Sequence, residues 1–128
     1  MSDALAAAAL DARKHAHAPF SHFAVGAALE DADGHVHTGC NVENATYGLT
    51  ICAERVAVFK AMSEGARKFR RIAIAADTDS LTPPCGACRQ ILWEFCGDIP
   101  VTLVNPRGAS ETLALKDLFP RAFDATFL

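Results

Sequence analysis

The sequence predicts an α/β protein: one five-stranded mixed sheet with helices on both faces, a three-layer α/β/α sandwich. Two observations carry that expectation. Helix-like and strand-like segments follow one another in the order α-β-β-α-β-α-β-β-α, which calls for a single sheet covered by helices. The segment at residues 23–29 is a short, continuous apolar run, the pattern of a strand buried on both faces, and residues 71–76 read as a second buried strand. A length of 128 residues suits one domain spanning residues 1–128, able to bury about two-thirds of its unfolded surface.

Ser2 is placed to cap a first, Ala-rich helix that runs to about His17 and is stopped by Pro19. His15 and His17 fall on its polar end, and their i, i+2 spacing spreads them too far apart to share a metal. Residues 23–29 form a strand, Asp31-Ala32-Asp33-Gly34 a turn and residues 35–40 the return strand of a β-hairpin. Alternation along His35-Val36-His37-Thr38 directs both histidines to solvent at a sheet edge. The polar segment at 41–48, Asn-Val-Glu-Asn-Ala-Thr-Tyr-Gly, has two readings. It is either a surface loop satisfying its own backbone or a ligand loop at a strand end. The helix expected over residues 52–64 is apolar on too many sides for a surface helix, so the sheet should cover one face and something else another. Residues 71–76 are a buried strand, 77–84 a loop, and 85–96 a third helix with Ile91, Leu92 and Phe95 facing inward. A fourth strand at 101–105, a turn at 106–108, an antiparallel fifth strand at 111–115 and a short helix at 116–119 complete the chain.

Composition narrows the function. A net charge of -3, with no run of Lys and Arg beyond Arg67-Lys68 and Arg70-Arg71, argues against a nucleic-acid surface. The apolar run at residues 4–10 has no basic leader and is too short to span a bilayer, so neither a signal peptide nor a membrane helix is expected. The five cysteines are Cys40, Cys52, Cys85, Cys88 and Cys96. An odd count without a secretory leader favours reduced thiols in the cytoplasm, and the C-x-x-C pair suggests metal or redox use.

Two stretches carry chemistry. Thr50-Ile51-Cys52-Ala53-Glu54-Arg55 opens the central helix, and Pro-Pro-Cys-Gly-Ala-Cys-Arg-Gln at 83–90 opens the third. Cys52 and Glu54 can serve one centre only at the open end of their helix, where the positive partial charge favours a thiolate. Taken alone, C-x-E is more simply a buried cysteine beside a surface glutamate. Cys85 and Cys88 share one face of a helix start fixed by the prolines. A thioredoxin-like redox pair would explain C-x-x-C but leave Cys52 and Glu54 idle. A closed structural zinc site needs a fourth ligand from Cys40, Cys96 or a histidine, and neither cysteine is well placed. Three thiolates with an open position is the arrangement of a catalytic zinc. Such a site is negatively charged, and Arg55 and Arg89, each next to a ligand, could hydrogen-bond its sulfurs. Glu54 would then stand where a carboxylate can take a proton from the attacking water.

Cys52-Ala53-Glu54 with Pro84-Cys85-Gly86-Ala87-Cys88-Arg89-Gln90 resembles the zinc-dependent cytidine deaminase superfamily. The segment from Asn41 to Gly48 and a cysteine before Ala-Glu are similar to its small homotetrameric, free-nucleoside type, with similarity from Pro19 to Phe123. The resemblance implies a cytidine deaminase-like catalytic domain that hydrolyses cytidine, and deoxycytidine with it, in pyrimidine salvage. It also implies one zinc per subunit, held by Cys52, Cys85 and Cys88, with Glu54 shuttling protons from water to ring N3 and then to the leaving amine. Asn41 and Glu43 would bind the ribose hydroxyls, Phe23 would pack against the base, Ala53 would meet the pyrimidine edge, and Arg55 would temper the thiolate charge. Ala45, Tyr47 and Phe123 would reach in from neighbouring subunits. Alternatives are a blasticidin-type deaminase, which shares the zinc motifs without the ribose loop, and a non-catalytic zinc-stabilised interaction module, which has no use for Glu54. A polynucleotide editor should be basic and aromatic, unlike this chain.

Overall fold

The computed structural model describes residues 3–128. Helix α1 (Ala4–Ala12) is capped by Asp3, whose carboxylate accepts from the Leu5 amide at 2.9 Å; Ser2, the expected cap, lies outside the described residues. The helix ends earlier than expected, passing into a 3-10 turn at Arg13–His15. His17 is already extended and bridges Val42, its amide donating to Asn41 O at 2.9 Å and its carbonyl accepting from Glu43 N at 2.8 Å. Pro19 restricts only Ala18, the residue before it, and the chain has already left the helix at Ala16.

Strands β1 (Val25–Asp31) and β2 (Val36–Cys40) form the hairpin, followed by α2 (Ala53–Ser63), β3 (Phe69–Ala76), α3 (Gly86–Cys96), β4 (Pro100–Val104), β5 (Ser110–Ala114) and the short α4 (Leu115–Leu118). The sheet order is β2-β1-β3-β4-β5, with β3 and β4 parallel and every other pair antiparallel. A parallel neighbour requires a crossover, and α3 supplies it.

Alternation sorts the strand residues into two layers. Ala27, Leu29, Ile72 and Ile74 pack beneath α2 and α3, while Ala28, Ala73 and Ala75 pack against Leu5 and Ala9 of α1. Full burial of Leu29, Ile72 and Ile74 contributes about 1.5–3 kcal/mol each. Two glycines let the helices lie close. A Cβ on Gly26 would stand 2.1 Å from Ala9 O, and one on Gly39 would stand 2.5 Å from Ala53 O.

Hairpin register corrects the reading of the histidines. His37 pairs with Leu29, whose side chain faces α2, so His37 turns the same way and Val36 faces out. His37 is 11% exposed and lies between Asp31 Oδ2 at 2.9 Å and Glu64 Oε1 at 3.2 Å, whereas His35 is open to solvent. The cover on α2 is also partial: Phe59 meets Phe95 of α3 edge-on, with ring centroids 6.3 Å apart, yet stays 43% exposed. Among the described residues, no helix is long and apolar enough to cross a membrane.

Candidate metal centre and adjoining cavity

Two helix starts converge on one point. Cys52 and Cys85 are the N-cap residues of α2 and α3, both with extended backbone, and Cys88 sits in the first turn of α3. Pro83 and Pro84 hold the approach to Cys85 extended. The three sulfurs lie within 4.8 Å of one another, and Cys52 Sγ is 3.9 Å from Cys85 Sγ. A tetrahedral ion with metal–sulfur bonds of about 2.3 Å separates its sulfurs by about 3.8 Å, so this soft, all-sulfur set fits zinc. Cys40 and Cys96 stand outside the cluster, leaving the closed four-cysteine alternative unsupported. A second trio, Asp31, Asp33 and His35, is also close together, but Asp31 is committed to its own turn. Its Oδ1 accepts from the Asp33 and His35 amides, and its Oδ2 is bonded to His37.

The electrostatics match the chemistry of thiolates. Arg55 Nη2 lies 3.4 Å from Cys52 Sγ. Interaction with the Cys88 thiol, then with the Arg55 guanidinium, draws the Cys52 pKa down to about 5. The same contact with Cys52, together with burial, pushes Cys88 upward. Arg89 does not share the task expected of it. Its Nε donates to Pro84 O at 2.7 Å and its Nη1 to Leu118 O, so it ties the start of α3 to α4 instead of reaching the sulfurs.

Glu54 is 5% exposed, although it belongs to the first turn of α2. Burial raises its pKa to about 7, and the negative charge at Cys52 adds to that. It faces a cavity of about 170 Å³ that also meets Cys52 and Cys85, with Phe23, Val25, Ile74 and Pro83 as apolar walls. A carboxyl poised near neutrality beside such a cavity can both accept and return a proton.

The other expected site residues divide between this cavity and its surroundings. Phe23, Asn41 and Ala53 line it. Asn41 is buried and holds the start of β1, its Oδ1 accepting from Val25 N at 2.9 Å and its Nδ2 donating to Phe23 O at 2.7 Å. Glu43 lines an adjacent cavity of about 340 Å³ with Phe20, Ser21 and Tyr47. Its carboxylate accepts from the Phe20 amide at 2.9 Å and from the Ser21 hydroxyl, which holds it below the usual carboxylate range. Thr50 lines both cavities. Ala45, Tyr47 and Phe123 are exposed at the surface. Tyr47 touches Phe20 edge-on, and Phe123 stacks on Phe127 while its carbonyl accepts from Gln90 Nε2 at 2.9 Å.

Val25, Thr50, Ile74, Thr82 and Pro83 were not foreseen as lining residues. Pro83 carried a signal in its place before Cys85. The others reach the cavity through strand ends and a loop path that no local pattern marks.

The family model of the cytidine and deoxycytidylate deaminase zinc-binding region matches residues 1–103. The cytidine deaminase of Sporosarcina psychrophila is 50% identical over 113 residues, spanning 88% of this chain and 83% of that protein. That of Halalkalibacterium halodurans is 52% identical over 118 residues, spanning 91% and 89%. The crystal structure of cytidine deaminase from Burkholderia pseudomallei superposes with a TM-score of 0.91 at 48% identity, covering 96% of this chain and 100% of that one.

Proposed function

The chain belongs to the zinc-binding cytidine and deoxycytidylate deaminase family, and on that premise we propose that it converts cytidine, and deoxycytidine with it, into the uracil nucleoside and ammonia. The observation that carries this reading is the buried Glu54 carboxyl facing a small cavity beside three converging sulfurs. The protein is a zinc-dependent enzyme of pyrimidine salvage acting on a small nucleoside.

Cys52, Cys85 and Cys88 would hold the ion, which supplies a Lewis acid that makes water acidic and nucleophilic at neutral pH. Glu54 takes the proton from the attacking water, delivers it to ring N3, and then assists departure of the amine from C4. Its near-neutral pKa supports service in both directions. The Arg55 guanidinium offsets the charge of the Cys52 sulfur. Phe23 packs on the base, and the Ala53 backbone contacts the pyrimidine edge. Asn41 and Glu43 receive the ribose hydroxyls, Glu43 exchanging its bonds to the 20–21 turn for them. The 1–128 unit acts as one catalytic domain within a homotetramer, where Ala45, Tyr47 and Phe123 enter a neighbour's site. Their surface exposure supports that assignment.

Metal analysis and turnover of cytidine, deoxycytidine, adenosine and blasticidin S, measured side by side, test the reading. One zinc per chain with turnover of the two cytosine nucleosides is expected. Active enzyme with under half an equivalent of zinc, or turnover of blasticidin S alone, overturns it. Mixed oligomers test the sharing: Glu54→Gln chains refolded with Tyr47→Ala/Phe123→Ala chains should regain activity that neither shows alone. Additive activity in verified mixed tetramers refutes it.

A further inference from the structure

Cys85 is delivered by a loop, residues 77–84, that leaves the end of β3 at the middle of the sheet. Pro84 is its one fully buried residue, and positions 77, 79, 80 and 83 are exposed. The same loop supplies Thr82 and Pro83 to the cavity wall. Arg89 Nε holds its far end at Pro84 O, and the bonds to the rest of it come from one place. Asn105, immediately after β4, is 4% exposed and donates from Nδ2 to Thr78 O at 3.1 Å. Its Oδ1 accepts from the Arg107 and Ala109 amides, each at 3.0 Å, which fixes the β4–β5 turn. From that turn Arg107 forks across Asp77 and Asp79, the latter at 3.0 Å. Thr78 Oγ1 then meets Thr82 Oγ1 at 2.8 Å, carrying the restraint to the cavity wall.

We propose that Asn105, seconded by Arg107, is a positioning residue: it anchors the 77–84 loop from the β4–β5 turn and so sets the place of Cys85 and of the Thr82–Pro83 wall. The proposal rests on the reading of Cys85 as a zinc ligand and of this cavity as the substrate site. Asn105 touches neither, so its effect is transmitted through the Thr78 carbonyl. A buried carboxamide with a single loop-directed donor is well suited to this, because losing that donor leaves a carbonyl unpaired without emptying any apolar space.

Asn105→Asp separates the roles of the side chain. The carboxylate still accepts from the Arg107 and Ala109 amides, so the turn persists, but it cannot donate to Thr78 O. Zinc loss from the purified holoprotein to a chromogenic chelator, without substrate, is the first readout. Outer-shell bonds commonly carry 10–100-fold in metal affinity or activity, and this more remote one should speed zinc release about tenfold. The second readout is the split between KM and kcat for cytidine: KM should rise severalfold while kcat changes less, because Glu54, which faces the same cavity, is carried by α2 and not by the loop. Gly26→Ala, which strains the α1 side of the sheet, serves as a control of lowered stability and should leave zinc release unchanged. Zinc release and KM both within twofold of the parent would overturn the proposal, as would equal zinc loss in the Gly26→Ala control. Should Asn105→Asp fail to fold, Arg107→Met cuts the two exposed anchors at Asp77 and Asp79 and is read the same way; unchanged zinc release and KM in it also overturn the proposal. If the parent binds zinc but leaves cytidine untouched, the proposed function fails while the zinc-release comparison still decides the role of Asn105.

Discussion

Gly39→Ala should damage catalysis from a position outside the cavity. An added Cβ would stand 2.5 Å from Ala53 O, 2.6 Å from Ala57 N and 3.1 Å from Val56 Cβ. Ordinary contact begins at 3.4 Å, so the first turn of α2 must retreat by about 0.9 Å or the sheet must yield by as much. Overpacking of that size costs about 1–3 kcal/mol, which for a chain of this length lowers Tm by about 4–12 °C. That turn begins at Cys52 and carries Glu54, and a displacement near 1 Å at reacting groups can lower kcat/KM by about 10²-fold. The assay is deamination followed by ultraviolet absorbance well below Tm, paired with thermal unfolding. Gly26→Ala is the informative partner. Its Cβ would meet Ala9 O at 2.1 Å, so it should lose stability by displacing α1, which carries no site residue, without a comparable fall in turnover. Gly39→Ala with kcat/KM within threefold of the parent, or equal activity losses in the two variants, would refute the reasoning.

Glu54→Gln should keep zinc and fold while losing about 10²–10⁴ in kcat, since an amide cannot accept the water proton; zinc content and single-turnover rates check it. Cys52→Ala should lose the metal as well, which atomic absorption reads directly. Glu43→Ala should slow cytidine far more than the free base cytosine, and equal proportional losses would return Glu43 to its bonds with Phe20 and Ser21 alone. The His37 ring bonded to Asp31 holds that carboxyl below the usual range. A depressed carboxylate stabilises the fold above its unfolded pKa, and the effect is lost as pH falls through the folded value. The stability gap between the parent and Asp31→Asn should therefore be full at neutral pH and close below about pH 4. Urea unfolding at several pH values would show it, and a gap independent of pH would contradict it.

Local punctuation makes much of this molecule legible in its sequence. The Asp31–Gly34 turn and Pro83-Pro84 are stops and starts that act within a few residues, and the element order around them followed from such signals. The two cysteine-bearing helix starts were readable for the same reason, because a residue at a helix N-terminus has its role set by its own turn. Their convergence within 4.8 Å was inferred from chemistry and is a fact of the fold. What the sequence could not determine depends on partners far along the chain. His37 turns inward because hairpin register sets it opposite Leu29, and Arg89 spends its donors on Pro84 and Leu118 because α4 returns beside α3. Asn41 grips the start of β1 from 16 residues away, and Asn105 reaches Thr78 across 27. A side chain's periodicity says which face it occupies, but only the packed sheet decides what stands opposite, since each such bond is chosen by strand order and register and not by the residues adjoining it.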